Sequence, residues 1–341
     1  MKISRPVKAI VEVVLLGLLV LLFVKVLDVQ RLRLYFSLIT TRVILGILAF
    51  QLAILLLQAC QWALVLREAG IYRGLWKTLL ARTSGFALMY LTPSLYFGGE
   101  PIRASLYKDA GMSYQKVYAS IALDKYIELA SKLPCIIVGF SYLIFLAHPG
   151  TTLIVVSSTI LLGFIALFLF LIARLFGGAP FIVRFFKGML RPLARIKPRL
   201  AIRALRAIRE FAVDLHALIK RKRIFYSAIL IGIFVAVVEV FQTLYILAVL
   251  GGPDLAKSFV IFSSVVIQGL IGILPGNLGG MEGTHLFVFN ILGIGSDRSL
   301  VYTIILRIGQ LTMVSLGILN VFAWRIAKLR RRGADRIRTD A

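Results

Sequence analysis

Apolar residues in this chain fall in long unbroken runs rather than in the alternation expected of a half-buried soluble helix or strand. Six runs, Val7–Leu27, Val43–Leu66, Val117–Leu146, Leu153–Leu175, Phe225–Leu250 and Leu300–Ala323, are long enough to cross a bilayer as helices. Two more, Leu75–Phe97 and Ser258–Leu274, each run into a glycine-rich break and resume as a shorter, more polar segment. The pattern predicts an all-α polytopic membrane protein with about six full transmembrane helices and two broken helical segments.

The two breaks carry one motif. Pro93-Ser-Leu-Tyr-Phe-Gly-Gly-Glu100 recurs as Pro275-Gly-Asn-Leu-Gly-Gly-Met-Glu282. A gapless overlay places Gly98 on Gly280, Arg103 on His285, Gly111 on Gly293 and Lys125 on Arg307. Paired breaks in two halves of a membrane protein point to a transport site at the repeat interface. Pro93, Gly98, Gly99, Pro275, Gly279 and Gly280 are the expected helix-breaking positions, and Pro101 suits the first turn of a restarted helix.

Charge orients the spans. The chain has 341 residues, is 60% hydrophobic and carries a formal net charge of +25 from 40 basic and 15 acidic residues, with mean hydropathy +0.92. The basic residues gather in loops, so contact with anionic lipid explains the charge and nucleic acid is not an expected partner. The basic N-terminus resembles a signal peptide, but its apolar run is long enough to span and no small-residue cleavage site follows, so it reads as a retained helix. The Arg/Lys-dense stretch 176–223 and both termini read as cytoplasmic, and the links around His148 and Asp254 as external. The three arginines between Asp28 and Arg42 run against this rule.

On that topology, repeat A (43–146) and repeat B (225–323) are inverted, each built as span, re-entrant hairpin, span, with a basic tail at 324–341 closing a single membrane domain of residues 1–341. Tips meeting inside the bilayer bring Glu100 and Glu282 close together. Charge bias does not separate this arrangement from hairpins whose two arms cross completely. In the cytoplasmic segment Leu200, Leu205, Ile208, Phe211, Leu215 and Leu218 share a helical face, with Arg199, Arg203, Arg206 and Arg209 off it. Two readings stand: a helix lying on the inner leaflet, or one packed on the protein's own cytoplasmic face.

Ionisable residues in membrane spans cost a few kcal/mol each and mark functional sites. Glu100, Arg103, Asp124, Lys125, Glu128, Glu282 and Arg307 form the expected lipid-binding set. The cations would hold an anionic headgroup and the carboxylates would balance them. Lys132 and Glu239 read as structural, with Lys132 snorkelling or pairing with Glu128. The helix ends that restart after each Gly pair would offer free N–H groups to a phosphate. Cys60 and Cys135 lie in apolar runs and read as small buried residues. Glu282-Gly-Thr-His285 has metal-site spacing, but the overlaid position is Arg103, a poor ligand, so no metal is expected. Gly251-Gly-Pro-Asp-Leu-Ala-Lys257-Ser258 lacks the glycine before lysine of a nucleotide-binding loop. No catalytic residue and no cofactor are assigned, and an enzyme is not expected.

Pro93-x4-Gly-Gly-Glu-Pro-x-Arg103, Ala119-Ser-Ile-Ala-Leu-Asp-Lys125 with Glu128, Leu274-Pro-Gly-Asn-Leu-Gly-Gly-Met-Glu282, and Leu306-Arg307 occur in the order seen in the lysylphosphatidylglycerol synthase transmembrane family, described also as flippase-like membrane proteins. The resemblance runs from about Val43 to Ala323. It implies a lipid-handling membrane domain. Fused members add lysine to phosphatidylglycerol through a soluble transfer domain, for which the residues after Ala323 leave no room. Stand-alone members are associated with hopanoid, glycolipid or polyprenyl-linked lipids.

The expected function is a flippase or scramblase moving a polar- or anionic-headed lipid between leaflets of the cell (inner or plasma) membrane. The alternative is a non-transporting scaffold that binds lipid and presents it to a partner membrane enzyme.

Overall fold

The computed structural model describes residues 35–92, 98–109, 111–145, 150–176, 179–271 and 274–339. The first expected span and Pro93 lie outside the described residues, which are helical with no strand. Among the described residues, five helices are long and apolar enough to cross a membrane: α1 (Thr41–Glu68), α4 (Tyr114–Phe145), Thr151–Phe170 within α5 (Thr151–Phe176), α9 (Lys222–Val249), and Ser296–Ala327 within α12 (Ser296–Thr339). They match five of the six expected spans.

Between the spans lie α2 (Leu75–Leu91) and α3 (Glu100–Tyr107), then α10 (Leu255–Ile271), a 3-10 turn at Pro275–Asn277 and α11 (Gly280–Ile291). The basic segment between the two halves forms α6 (Ala179–Met189), α7 (Arg191–Ile196) and α8 (Pro198–Ile219).

Both breaks have the same local cause. A residue before proline is pushed out of the helical region. Thr92, before Pro93, is extended at φ −106°, ψ 137°, and Leu274, before Pro275, at φ −84°, ψ 148°. Glycine then re-aims the chain. Gly279 has φ +81°, which other residues rarely adopt. A Cβ on Gly99 would run into the Gly85 backbone, so the close approach of α2 and α3 requires glycine at position 99.

The arms are short. α2 and α10 have 17 residues each, about 26 Å at 1.5 Å per residue. α3 has 8 residues and α11 has 12, about 12 and 18 Å, against a hydrocarbon core of about 30 Å.

Packing between the halves is reciprocal. α1 packs on α9; α2 packs on α12, as α10 packs on α4; α1 packs on α12, as α9 packs on α4. Two apolar cores lie at opposite ends of this arrangement. One joins Trp62 and Leu66 at the end of α1, Tyr107 of α3, Ile121 of α4 and Phe225 at the start of α9. The other joins Val43 and Ile47 at the start of α1, Phe289 of α11, Ile246 at the end of α9 and Tyr302 of α12. So α1 and α9 run antiparallel, with the short arm of each hairpin in a different core.

α8 packs on α4, and its Leu215, Leu218 and Ile219 enter the first core with Val117 and Ile121. Of the two readings for this helix, packing on the protein accounts for its C-terminal half. Arg199, Arg203, Arg206 and Arg209 stay exposed, and so does Leu200. Burial raises the Asp214 carboxyl above its ordinary range, an effect partly offset by Lys116. The Glu68–Arg221 ion pair ties the end of α1 to the start of α9.

Candidate functional site

A charged cluster sits where α1, α2, α3 and α4 meet. Asp124 and Glu128 are one turn apart on α4 and both buried. Arg82 of α2 bridges them: Nη1 donates to Asp124 Oδ2 at 2.7 Å and Nη2 to Glu128 Oε2 at 3.1 Å, while Nε donates to Gln58 Oε1 at 3.2 Å. Arg103 of α3 donates to the same Asp124 oxygen at 2.5 Å. Gln61 Nε2 donates to the other, Oδ1, at 3.3 Å. Lys125 Nζ lies 3.6 Å from Glu128. The Arg103 guanidinium also stacks 3.7 Å from the Trp62 ring centroid. That ring is fixed in turn by Trp62 Nε1 donating to Ser120 Oγ at 3.3 Å.

A second cluster holds the other hairpin. Glu282 Oε1 accepts from Arg307 Nε at 2.6 Å, and Glu282 Oε2 accepts from the Gly279 N–H at 2.8 Å. Arg307 Nη1 also donates to Tyr90 Oη at 2.7 Å and to the Gly276 carbonyl at 3.0 Å. The hairpins thus meet through Tyr90, near the end of α2, and the 3-10 turn. Close by, His285 and Thr303 are hydrogen bonded at 2.6 Å; because Thr303 Oγ1 donates to the Ser299 carbonyl, His285 Nδ1 is the donor.

Between the clusters lies a cavity of about 340 Å³, within the usual range of ligand sites. Glu100, Arg103, Lys125, Glu128 and Arg82 line it, as do Lys132 and Glu239, paired at 2.7 Å. Gly276 and Asn277 of the second hairpin form another wall. One Glu100 carboxylate oxygen and the amide nitrogen of the buried Gln242 have no hydrogen-bond partner among the described residues.

Measured against the sequence, Arg103, Asp124, Lys125 and Glu128 come together as one cluster, and Glu282 with Arg307 as another. Glu100 faces the cavity, whereas Glu282 and Arg307 are not among its lining residues. Arg307 pairs within its own repeat, with Glu282, rather than across the interface with Asp124 or Glu128. Lys132 pairs with Glu239 rather than Glu128, whose carboxylate faces Arg82 and Lys125. The second restarted helix is capped by Glu282, so the Gly279 N–H has an internal partner.

Sequence reasoning missed Arg82, which sits inside an apolar run with partners 42 and 46 residues away. It also missed Gln58, Gln61, Tyr90 and Gln242. An arginine in an intramembrane segment was itself a signal for Arg82; a tyrosine one turn before a helix break carries none.

Comparison with known proteins agrees with this architecture. A model of the lysylphosphatidylglycerol synthase transmembrane region matches residues 9–317. A UPF0104 membrane protein of Methanothermobacter thermautotrophicus is 25% identical over 289 residues, covering 80% of this chain and 82% of that protein. Another UPF0104 membrane protein, from Pyrococcus horikoshii, is 24% identical over 271 residues, covering 77% and 80%. No solved structure matches the chain. With the family's transmembrane region covering nearly the whole chain, the protein belongs to the lysylphosphatidylglycerol synthase transmembrane family.

Proposed function

We propose that this protein is a lipid transporter of the flippase or scramblase type, moving a polar-headed lipid between the leaflets of the cell membrane with both termini cytoplasmic. The observation that carries this reading is the cavity of about 340 Å³ walled by both helix breaks and by buried charges. Irregular backbone and ionised groups are tolerated at bilayer depth only where protein or a water-filled space surrounds them.

The halves act as an inverted repeat of re-entrant hairpins. Support comes from the reciprocal packing, the antiparallel α1 and α9, and arms shorter than the hydrocarbon core. Such symmetry lets the two halves exchange roles, opening the cavity first to one side and then to the other. Arg307 binds the turn of one hairpin and Tyr90 of the other, so breaking this junction is the local event that separates the tips.

Among the groups that line the cavity or pair with its lining, Arg82, Arg103, Lys125 and Lys132 are matched by Glu100, Asp124, Glu128 and Glu239. These four cations and four carboxylates sum to zero. A balanced site takes its ligand by hydrogen bonds rather than by net charge. Among the described residues that line it, Glu100, Gln242, Gln310 and Arg103 each keep a polar atom without a hydrogen-bond partner. The headgroup this favours is polar, with both donors and acceptors. The lipid is moved without covalent change, so the reading involves no enzyme activity, metal or nucleic acid.

The second reading, a scaffold that binds lipid for a membrane enzyme, draws on the exposed arginines of α8. Leaflet exchange of labelled lipids in proteoliposomes containing only this protein separates the two: a transporter accelerates exchange, and a scaffold leaves it at the protein-free rate.

A further inference from the structure

A second cavity, of about 500 Å³, lies on the other side of the hairpin turn, between α4, α5, α10 and α11. Leu153, Val156 and Ile160 reach it from one face of α5, at i, i+3 and i+7 spacing. Phe140 of α4 and Phe287 and Ile291 of α11 form the facing walls. Val156, Ile160 and Phe287 are 46%, 41% and 61% exposed, so the groove is open to the side. α5 belongs to neither repeat and packs chiefly on α4.

The two cavities touch. Leu274 and Asn277 line both. At this boundary Gln268 Nε2 donates to Asn277 Oδ1 at 2.6 Å and Asn277 Nδ2 donates back to Gln268 Oε1 at 2.5 Å. Each amide satisfies the other, so a polar turn can border an apolar space without leaving that donor and acceptor unpaired. A Cβ on Gly280 would collide with both side chains, so the pair depends on glycine there.

We propose that this groove holds an acyl chain of the lipid whose headgroup enters the charged cavity. The inference rests on the transporter reading for the headgroup and adds the route of the tail. A tail gains no hydrophobic energy by leaving other tails for an apolar groove. What retains it is the tether to a bound headgroup, which raises its local concentration at the adjoining groove. The groove also names a leaflet. Leu153 near the start of α5 and Ile291 at the end of α11 lie at the end of the bundle that holds the second core, external on the charge reading. The acyl chain therefore enters from the outer leaflet.

The test feeds a diazirine fatty acid to cells expressing the full chain, so that their acyl lipids carry the photolabel. After irradiation and purification, adducts are mapped by mass spectrometry. The expected result is severalfold more labelling of Val156, Ile160 and Phe287 than of Leu45 and Leu52, which are as exposed on α1. Thr284→Trp fills the groove and should bring that excess down to the α1 level. Val156→Trp, at an exposed position, should do the same without disturbing a packed side chain. Equal labelling of the groove and α1, or an excess unchanged by either tryptophan, overturns the proposal. Leaflet exchange by the same purified protein separates the two claims. Exchange without groove enrichment defeats the acyl site alone, while enrichment without exchange keeps the acyl site and defeats transport.

Discussion

Single residues divide into those that hold the fold and those left for a ligand. Asp124 accepts from Arg82, Arg103 and Gln61, so Asp124→Asn strands buried guanidinium charge and should lower stability by about 3–5 kcal/mol, read by thermal unfolding of the purified protein. Glu100 is different, because one of its oxygens has no partner. Glu100→Gln gives up only its attraction to nearby cations such as Lys125 and breaks no paired hydrogen bond at its free oxygen, so it should cost clearly less stability than Asp124→Asn, yet abolish lipid exchange. Glu282→Gln removes the ionic partner of Arg307, so it should unfold the protein more readily than Glu100→Gln does, although the two residues occupy equivalent places in the repeat. Equal stability of the two variants would contradict this division. Tyr90→Phe deletes one charge-assisted hydrogen bond between the hairpins and should cost about 1.5–3 kcal/mol, with faster opening seen in hydrogen exchange at the turn. The repeated Glu was legible in sequence; its two different environments were not. They depend on which distant side chain arrives: Arg307, itself held by Tyr90, binds Glu282, whereas one Glu100 oxygen has no partner among the described residues.

At the scale of elements, the breaks were readable because proline and glycine act locally. Thr92 and Leu274 are extended for the same steric reason, whatever surrounds them. The amphipathic face of α8 was readable too, but its destination was not, since leaflet and protein present equally apolar surfaces to Leu215 and Leu218. Packing on α4 gives this helix a pH signature. Asp214 is ionised less readily in the folded state, chiefly through burial. Below the ordinary carboxyl pKa it is neutral in both folded and unfolded chains and costs nothing. As pH rises through the ordinary value and then the raised one, the penalty develops and then stays complete. Asp214→Asn should therefore match the parent at low pH and be slightly more stable near neutrality, in thermal scans across that range. A gain confined to low pH would reverse the sign and refute the assignment. The hairpins carry their own test. Cysteines placed at Ser105, on α3, and Ser296, at the start of α12, should label from the cytoplasm and the exterior respectively; labelling of both from one side would remove the inverted arrangement.

At the scale of the whole molecule, the proposed function rests on two halves that wall the charged cavity. The recurring spacing of Pro, Gly-Gly and Glu was visible in the sequence, and five of the expected spans are present among the described residues. The reciprocal packing of α2 on α12 and α10 on α4 was not visible, because lipid-facing and protein-facing surfaces are similarly apolar and periodicity does not distinguish them. The central claim is that this cavity carries lipid across the membrane. Its most direct test is leaflet exchange of a labelled total-lipid extract from the expressing cells, in proteoliposomes holding only this protein, compared with Glu100→Gln at equal folded amount. The account predicts exchange well above protein-free vesicles for the parent and a fall to the protein-free rate for Glu100→Gln. A parent protein that leaves exchange at the protein-free rate, or a Glu100→Gln variant that moves lipid as fast as the parent, would contradict it.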